Sequence, residues 1–293
     1  MPNLTIIMSD PVPPGAPLLL APRLVDAFGF RQADMNVEHG EILGETTATN
    51  GGQSAYLIRP TATPLRPVLK YTMEGSDVAP PGWIWQQPDT RYMKPSEPFA
   101  AYFRECVAGA ASQTEALERI VAHASEVFWY GHGSGSLMDG RDCVPLLTGP
   151  TRGHCVDMHG YCVAACRVVG LDAAYCAGFW FKDGSFRAPG MHCWFVAKVD
   201  GQIVHYDVSH HLKLPLLPVR PGLNPIPGIR FLAAVGKGLT FNTPNGAVQA
   251  SHFARLIWVT DDGLDHYPAH EIVLDTGNPG LVKASAPQLE PSC

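Results

Sequence analysis

Three residues of this chain have the types and the order needed for covalent acyl chemistry: Cys155, His192 and Asp207. Cys155 stands in Gly153-His154-Cys155-Val156-Asp157, directly before a helical pattern. His192 opens the apolar run His192-Cys193-Trp194-Phe195-Val196, and Asp207 follows Tyr206 in a second strand-like run. Only the thiolate is a nucleophile, and an ordinary thiol pKa of about 8.5 leaves cysteine protonated at neutral pH. A helix start favours an anion through its unpaired amides and its dipole. An imidazole can take the thiol proton, and a carboxylate can fix the tautomer of that imidazole and stabilise its cation. In the first helical turn, the Cys155 N–H would also face an oxyanion formed at a carbonyl under attack. Such a set makes and breaks a thioester.

The elements that must position these residues follow from local patterns. A helix is expected over 154–169, with Thr151 or Gly153 as N-cap and Gly170 as its stop. The segments 173–181 and 192–199 have the character of strands, and Asp200-Gly201 is a tight hairpin turn leading into a strand over 202–208. By the period of two, His192 and Trp194 face one side of their strand, and His205 and Asp207 one side of theirs. An antiparallel register about Gly201 sets residues near His192 across from residues near Asp207. Upstream, Phe99, Tyr102, Phe103 and Cys106 recur at helical spacing. Ser112-Gln113-Thr114-Glu115 is a capping-box pattern for a second helix with Leu117, Ile120, Val121, Ala124 and Phe128 on one face. A helical hairpin over 95–130 is expected, followed by a Gly- and Ser-rich loop over 131–150.

Residues 1–94 are rich in Pro, Gly and Thr, with short apolar runs between turn residues, and read as a small antiparallel β domain. The catalytic core is assigned to 95–214. Residues 215–293 form a C-terminal extension, Pro-rich over 215–228, with strands added over 229–242 and 254–260 and a poorly ordered tail after Gly277. The fold class expected is α+β.

Composition bounds the partners. The chain has 293 residues, 46% hydrophobic and 16% charged, as globular proteins do. Its net charge of -6, without a Lys/Arg run, argues against nucleic acid as a partner. No apolar run reaches the length of a membrane span, and the first residues, interrupted by Asp10 and Pro11, make a poor secretory leader. A soluble cytoplasmic protein is expected, its oligomeric state left open. Of the eight cysteines, five fall between Cys155 and Cys193. In a reducing compartment most remain free thiols, and Cys162, Cys166, Cys176 and Cys193 read as packing residues.

Two metal sites compete with this chemistry as readings of the sequence. Cys155, His159, Cys162 and Cys166 share one helix face, but at a rise of about 1.5 Å per residue the outer two stand roughly 16 Å apart. Zinc ligands sit at about 2.0–2.3 Å from the ion, so these four cannot share one; only a neighbouring pair joined by His192, or by His210 and His211, could. Asp139 and Asp142 beside Arg141 fall short of the roughly six to eight oxygens of a calcium site. No metal and no cofactor is expected.

The stretch from Gly153 to Asp157, with Arg167, Gly170, Leu171 and Ala173 after it, resembles the cysteine segment of the transglutaminase-like superfamily, in its bacterial, cysteine-protease-like form. That segment typically reads Gly-x-Cys-x-Asp, with an Arg and a Gly-Ile-Pro-Ala turn at the helix end. His192-Cys193-Trp194 resembles the His-Ala-Trp strand of the family, and Tyr206-Asp207-Val208-Ser209 its aromatic-Asp-Pro-Thr segment. Arg91 to Ser96 and the helices ending in Val127-Phe128-Trp129-Tyr130 resemble the lead-in of bacterial members, which often carry an N-terminal β domain. The likeness runs from Arg91 to His211 and stops by Pro215. Leu171-Asp172-Ala173-Ala174, Val208-Ser209 and Cys193 depart from the family pattern without removing a triad member.

The resemblance implies a papain-like core in which a helix-borne cysteine packs on an antiparallel sheet. It implies Cys155 as nucleophile, His192 as base and later acid, and Asp207 as the orienting carboxylate. The substrate would be a peptide, protein or small amide, cleaved by hydrolysis or passed to an amine. A catalytically silent protein-binding module of the same fold is the reading from another class. A second oxyanion donor is expected upstream, with Trp129 and Tyr130 as candidates.

Overall fold

The helix that begins at Cys155 is covered on every side: residues 156–166 are all buried. A helix without a wet face needs neighbours all round, and the rest of the fold supplies them. The structure, a computed structural model, describes residues 2–13, 17–61, 66–86, 90–133, 135–222, 225–260 and 265–275. The expected tail after Gly277 lies outside the described residues.

The chain opens with β1 (Asn3–Met8), β2 (Leu18–Pro22), β3 (Gly29–Glu38), β4 (Gly40–Thr47), β5 (Ser54–Pro60) and β6 (Val68–Ser76). The helical hairpin follows as α1 (Glu97–Cys106) and α2 (Gln113–Val127). Then come β7 (Phe128–Tyr130), β8 (Thr151–Gly153), α3 (Cys155–Val168), β9 (Asp172–Lys182), β10 (Arg187–Ala188), β11 (Met191–Val199) and β12 (Gln202–Tyr206). The chain continues through α4 (Val208–Lys213), β13 (Gly228–Val235), β14 (Lys237–Thr243), β15 (Gly246–His252), β16 (Ile257–Val259), β17 (Asp265–His266) and β18 (His270–Asp275). No described helix is long and apolar enough to cross a membrane.

Caps explain the helix boundaries. Ser96 accepts from Phe99 N at 3.4 Å and Ser112 from Glu115 N at 3.1 Å. Glu115 turns back as a capping box requires, but it accepts from Ala111 N at 2.7 Å, one residue before the N-cap. At the end of α3, Gly170 takes φ +79, and Leu171 N donates to Cys166 O at 2.9 Å, closing the helix as a left-handed glycine stop does. The second helix ends at Val127, three residues before the expected end of the hairpin at 130. Phe128, Trp129 and Tyr130 extend as β7, pairing in parallel with β8. Bulky aromatic residues suit a strand, and the pairing lays this segment directly beside the approach to Cys155.

Four antiparallel strands in the order β12-β11-β9-β13 carry the site. Alternation splits their side chains between two cores. Tyr175, Ala177, Phe179, Cys193 and Phe195 join Met158, Tyr161 and Cys162 of α3 in the main core. Ala174, Cys176, Trp194 and Val196 pack on the far face with Leu232, Val235 and Ile84.

The N-terminal strands are shared with the end of the chain. They lie in two five-stranded sheets, β10-β18-β1-β6-β3 and β17-β16-β2-β5-β4. In β1, Leu4, Ile6 and Met8 point inward. β2 is buried on both faces, sending Leu19 and Ala21 to the main core and Leu18 and Leu20 to a second one. Of the strands after residue 214, β13 joins the site sheet, β14 and β15 form a hairpin, and the last three complete the two N-terminal sheets.

The seam between β9 and β13 depends on Gly178. A Cβ there would run into the carbonyl of Phe231 on β13. Gly178→Ala is expected to cost about 2–3 kcal/mol of stability through forced backbone displacement, read as a lower midpoint in urea unfolding. A midpoint equal to that of the parent protein would show that the seam has slack.

Candidate active site

Cys155 enters its helix from a strand. The parallel pairing of β7 with β8 sets Tyr130 opposite Gly153, and a Cβ at Gly153 would come within 2.8 Å of the Phe128 ring. Because Thr151 and Gly153 belong to β8, neither serves as the expected N-cap. His154 does, accepting from Val156 N through Nδ1 at 3.3 Å, while Asp157 Oδ2 accepts from His154 N at 3.3 Å. Buried Asp157 also accepts from Ser136 Oγ at 2.6 Å and Leu137 N at 2.9 Å through Oδ1. The motif aspartate therefore caps the helix and fastens the 131–150 loop to it. In that loop Asp139 accepts from Ser136 N at 2.7 Å, a structural contact.

Asp207 reaches the site by leaving its strand. The β11–β12 ladder runs from Val199↔Gln202 to Phe195↔Tyr206 and stops. Asp207 then caps α4, its Oδ1 accepting from His210 N at 3.1 Å and from Ser209 Oγ at 2.8 Å. This differs from the expected strand position, and the reason is local: the open amides of a helix start draw a carboxylate. The other oxygen, Oδ2, receives His192 Nε2 at 2.7 Å. The residue after the expected Asp-Pro-Thr proline is Ser209 here, and its hydroxyl occupies Asp207 Oδ1 as just described.

Two histidines and an arginine surround the pair. Arg230 of β13 donates from Nη2 to Asp207 Oδ2 at 2.6 Å and approaches His210 Nδ1 at 3.0 Å. The His210 ring stacks on His192 with centroids 4.3 Å apart. His159 of α3 is fully buried, with Nε2 3.7 Å from Asp207 Oδ1 and neither ring nitrogen hydrogen-bonded. Burial keeps these two neutral, pushing His159 down to about 4 and His210 down to about 3. Burial opposes charge on His192 as well, but Asp207 and then Cys155 overcome it and lift His192 to about 9.

The thiols separate sharply. Cys155 is partly exposed, while Cys162, Cys166, Cys176 and Cys193 are buried. A hydrogen bond from Cys193 does most to hold Cys155 well below the ordinary thiol range; burial opposes it, and hydrogen bonds from His154 and His192 reinforce it. Burial pushes Cys162 well up and Cys166 up to about 12. Cys193 is thus more than packing: Tyr175 donates to its sulfur at 2.7 Å, leaving its S–H for Cys155.

Of the two oxyanion candidates, Trp129 is 51% exposed and turned to solvent. Tyr130 is half-buried, its hydroxyl paired with His132 Nε2 at 2.8 Å. Burial raises its phenol pKa, and the negative charges of Cys155 and Asp207 raise it further. The Tyr130 side chain therefore borders the site, while that of Trp129 is turned to solvent.

His192, Asp207 and His210 form a group whose ligand atoms lie within 4.8 Å of one another. It does not fit a metal ion. Arg230 Nη2 already touches both Asp207 Oδ2 and His210 Nδ1, and a second cation there would meet the guanidinium at contact distance. Sequence reasoning missed Arg230 and Lys237, a buried lysine whose Nζ donates to Val156 O at 3.0 Å, and it placed His154 only within the cysteine motif and His210 only as a possible metal ligand. Arg230 and Lys237 did carry a signal, since each is a lone cation in an otherwise apolar stretch.

Arg230→Met leaves a buried carboxylate with one cationic partner fewer. Its expected cost is about 3 kcal/mol at pH 7, measured by urea unfolding, with part restored by adding Asp207→Asn. The pH dependence follows from the shifts. His192 is raised, so its stabilising contribution is complete below its unfolded pKa of about 6.5 and is lost as the pH rises through about 9. Asp207 is held well below its ordinary range: burial pushes it up, but the charge and hydrogen bond of His192, then Arg230, outweigh that. Its contribution is present above the ordinary carboxylate range and is lost as the pH falls through its depressed pKa. Parent stability should therefore decline on the alkaline side near pH 9, and the Asp207→Asn variant should lack that decline.

Residues 100–208 match the family model of the transglutaminase-like superfamily. No curated protein matches the chain. The crystal structure of a putative cysteine protease from Cytophaga hutchinsonii is similar with a TM-score of 0.50 and 13% identity, covering 94% of this chain and 97% of that one. The periplasmic domain of TgpA from Pseudomonas aeruginosa, alone and bound to ethylmercury, is similar with a TM-score of 0.35 and 12% or 11% identity, over 73% of this chain and 88% or 91% of those. The first of these likenesses is one of fold, and it extends through the N- and C-terminal strands as well as the core. The segment that holds Cys155, His192 and Asp207 on a helix and an antiparallel sheet belongs to the transglutaminase-like superfamily.

Proposed function

We propose that this protein is a cysteine hydrolase that cleaves an amide-type bond through a thioester on Cys155. One observation carries the reading. His192 is hydrogen-bonded through Nε2 to a buried carboxylate at 2.7 Å, which leaves its other nitrogen for the Cys155 thiol. The partners of Cys155 favour its anion and those of His192 favour its cation, so the resting pair is thiolate and imidazolium.

In the proposed cycle the Cys155 sulfur attacks the carbonyl carbon, and the carbonyl electrons move to oxygen. The Cys155 N–H at the helix start is the expected oxyanion donor, with the backbone beside Tyr130 the candidate for a second. When the tetrahedral centre collapses, the C–N bond breaks and His192 delivers its proton to the departing amine. His192, now neutral, takes a proton from water, which attacks the thioester. The acid leaves, and Cys155 and His192 return to their charged forms. Asp207 keeps its charge throughout.

A cavity of about 580 Å³ beside Trp180 offers room for one side of the substrate; Lys182, Arg187 and Glu271 line it. The Trp180 ring centre is 6.1 Å from that of His192. This supports a peptide or small amide as the acyl donor. Transfer to an amine uses the same thioester and differs only in what attacks it. The cytoplasm is the proposed location, where free thiols such as the seven described here are ordinary.

Mass spectrometry of His192→Ala incubated with a mixture of peptide amides and activated esters should find an acyl group on Cys155 and on no other cysteine. With the parent enzyme in water and a competing amine, the free acid should be the main product. A dominant amide product would assign the transfer reaction instead, and acylation absent from Cys155 would remove the enzymatic reading.

A further inference from the structure

An ammonium group that this cycle does not use lies against the first turn of α3. Lys237, the first residue of β14, is 2% exposed. Its Nζ donates to Val156 O at 3.0 Å, one residue beyond the nucleophile. The approach depends on Gly160, since a Cβ there would stand 2.8 Å from Nζ. Glycine weakens a helix interior, so its presence in the middle of α3 has a reason in this contact. Thr90 fixes the other end of the residue by donating to the Lys237 carbonyl at 2.9 Å.

The surroundings of the ammonium point toward Cys155. It lies 5.3 Å from the ring centre of Tyr175 and 5.6 Å from that of Tyr92, within reach of cation–π attraction. Tyr175 is the residue that donates to Cys193 Sγ at 2.7 Å. A cation over the ring makes the phenol a stronger donor, and a sulfur that accepts from the phenol has its own proton free for a neighbour. Burying an ammonium is unfavourable and lowers the Lys237 pKa, and Asp157 and Cys155 are the groups whose negative charge opposes that loss.

We propose that Lys237 is a positioning residue for the nucleophile: acting across Tyr175 and Cys193 and on the first turn of α3, its ammonium holds Cys155 as the thiolate. The inference rests on the reading that Cys155 attacks as an anion. It deepens that reading by assigning part of the charge control to a strand beyond the matched residues 100–208.

Other groups also face the thiol. On its own helix these are His154 and Asp157, and His159, which burial keeps neutral. Across from it are His192 and Cys193 on β11, Tyr175 on β9 and Tyr130 on β7. Asp207 lies behind His192 and is paired with Arg230. His252 on β15 is pushed down to about 4 by burial and the nearby cations. Of the charged groups around the thiol, only Lys237 can be removed without breaking the Asp207 cluster or the helix cap.

The test is the pH profile of Cys155 alkylation by iodoacetamide, read by peptide mass spectrometry, for the parent protein, Lys237→Met and Tyr175→Phe. Lys237→Met should raise the midpoint by about one pH unit, leaving about tenfold less thiolate on the acid side, with the rate at high pH unchanged. Tyr175→Phe, which keeps the ammonium and loses one oxygen, should raise it in the same sense by less, and it decides the matter if Lys237→Met does not fold. Midpoints within a few tenths of a unit of the parent value in the folded variants would overturn the proposal. The readout needs no substrate, so its failure is separate from failure of the hydrolytic reading. A shifted profile without any acyl adduct would spare Lys237 and remove the hydrolase, whereas an unshifted profile with the adduct intact would do the reverse.

Discussion

A carboxylate with no access to water is the constraint on which the rest of this structure depends. Asp207 is fully buried, and an ionised group in that position costs several kcal/mol unless it is paired and hydrogen-bonded. Its partners come from separate parts of the chain: His192 from β11, Ser209 and the His210 amide from α4, and Arg230 from β13. The hairpin must turn into a helix where it does, and β13 must dock on β9, for these donors to converge. The close approach at Gly178 and the pairing of β13 are in this sense requirements of the site as much as of the sheet.

The same logic extends to Cys155, the proposed nucleophile. In the proposed resting state the anions around Cys155 are its own thiolate, Asp157 and Asp207, and the cations are the imidazolium of His192, Arg230 and Lys237. Three charges of each sign in a largely buried region offset one another where none could stand alone. Neutral His159 and His210 fill the spaces between them without adding charge. The matched core contributes the anions and His192, while Arg230 and Lys237 come from the strands that follow Pro215.

The candidate catalytic residues were legible because they sit in short, ordered motifs. Gly153 to Asp157 announced a helix start, Asp200-Gly201 a hairpin, and Ser112 and Glu115 a cap, each a signal confined to a few neighbours. What was not legible depended on contacts between distant segments. Phe128 to Tyr130 continued the apolar spacing of α2, and only the parallel partner at Thr151–Gly153 makes them a strand. Asp207 fits the alternation of β12, yet the demand of α4 for a cap moves it off the ladder. His154 is an uncommon N-cap, chosen because Thr151 and Gly153 are already engaged in β8. Arg230 and Lys237 lie in a region without a recognisable motif, and their partners are twenty or more residues away in sequence. The sharing of the N-terminal sheets with β16, β17 and β18 is another long-range pairing that no local pattern encodes.

If balanced buried charge is what makes this site, Cys155 must exist as a thiolate before any substrate arrives. The ultraviolet absorbance of the thiolate, measured against pH as the difference between the parent protein and Cys155→Ala, tests this directly. The geometry described here predicts a Cys155-dependent thiolate signal already present on the acid side of neutrality, where an ordinary cysteine is protonated. A signal that appears only near the ordinary thiol pKa of about 8.5 would contradict it.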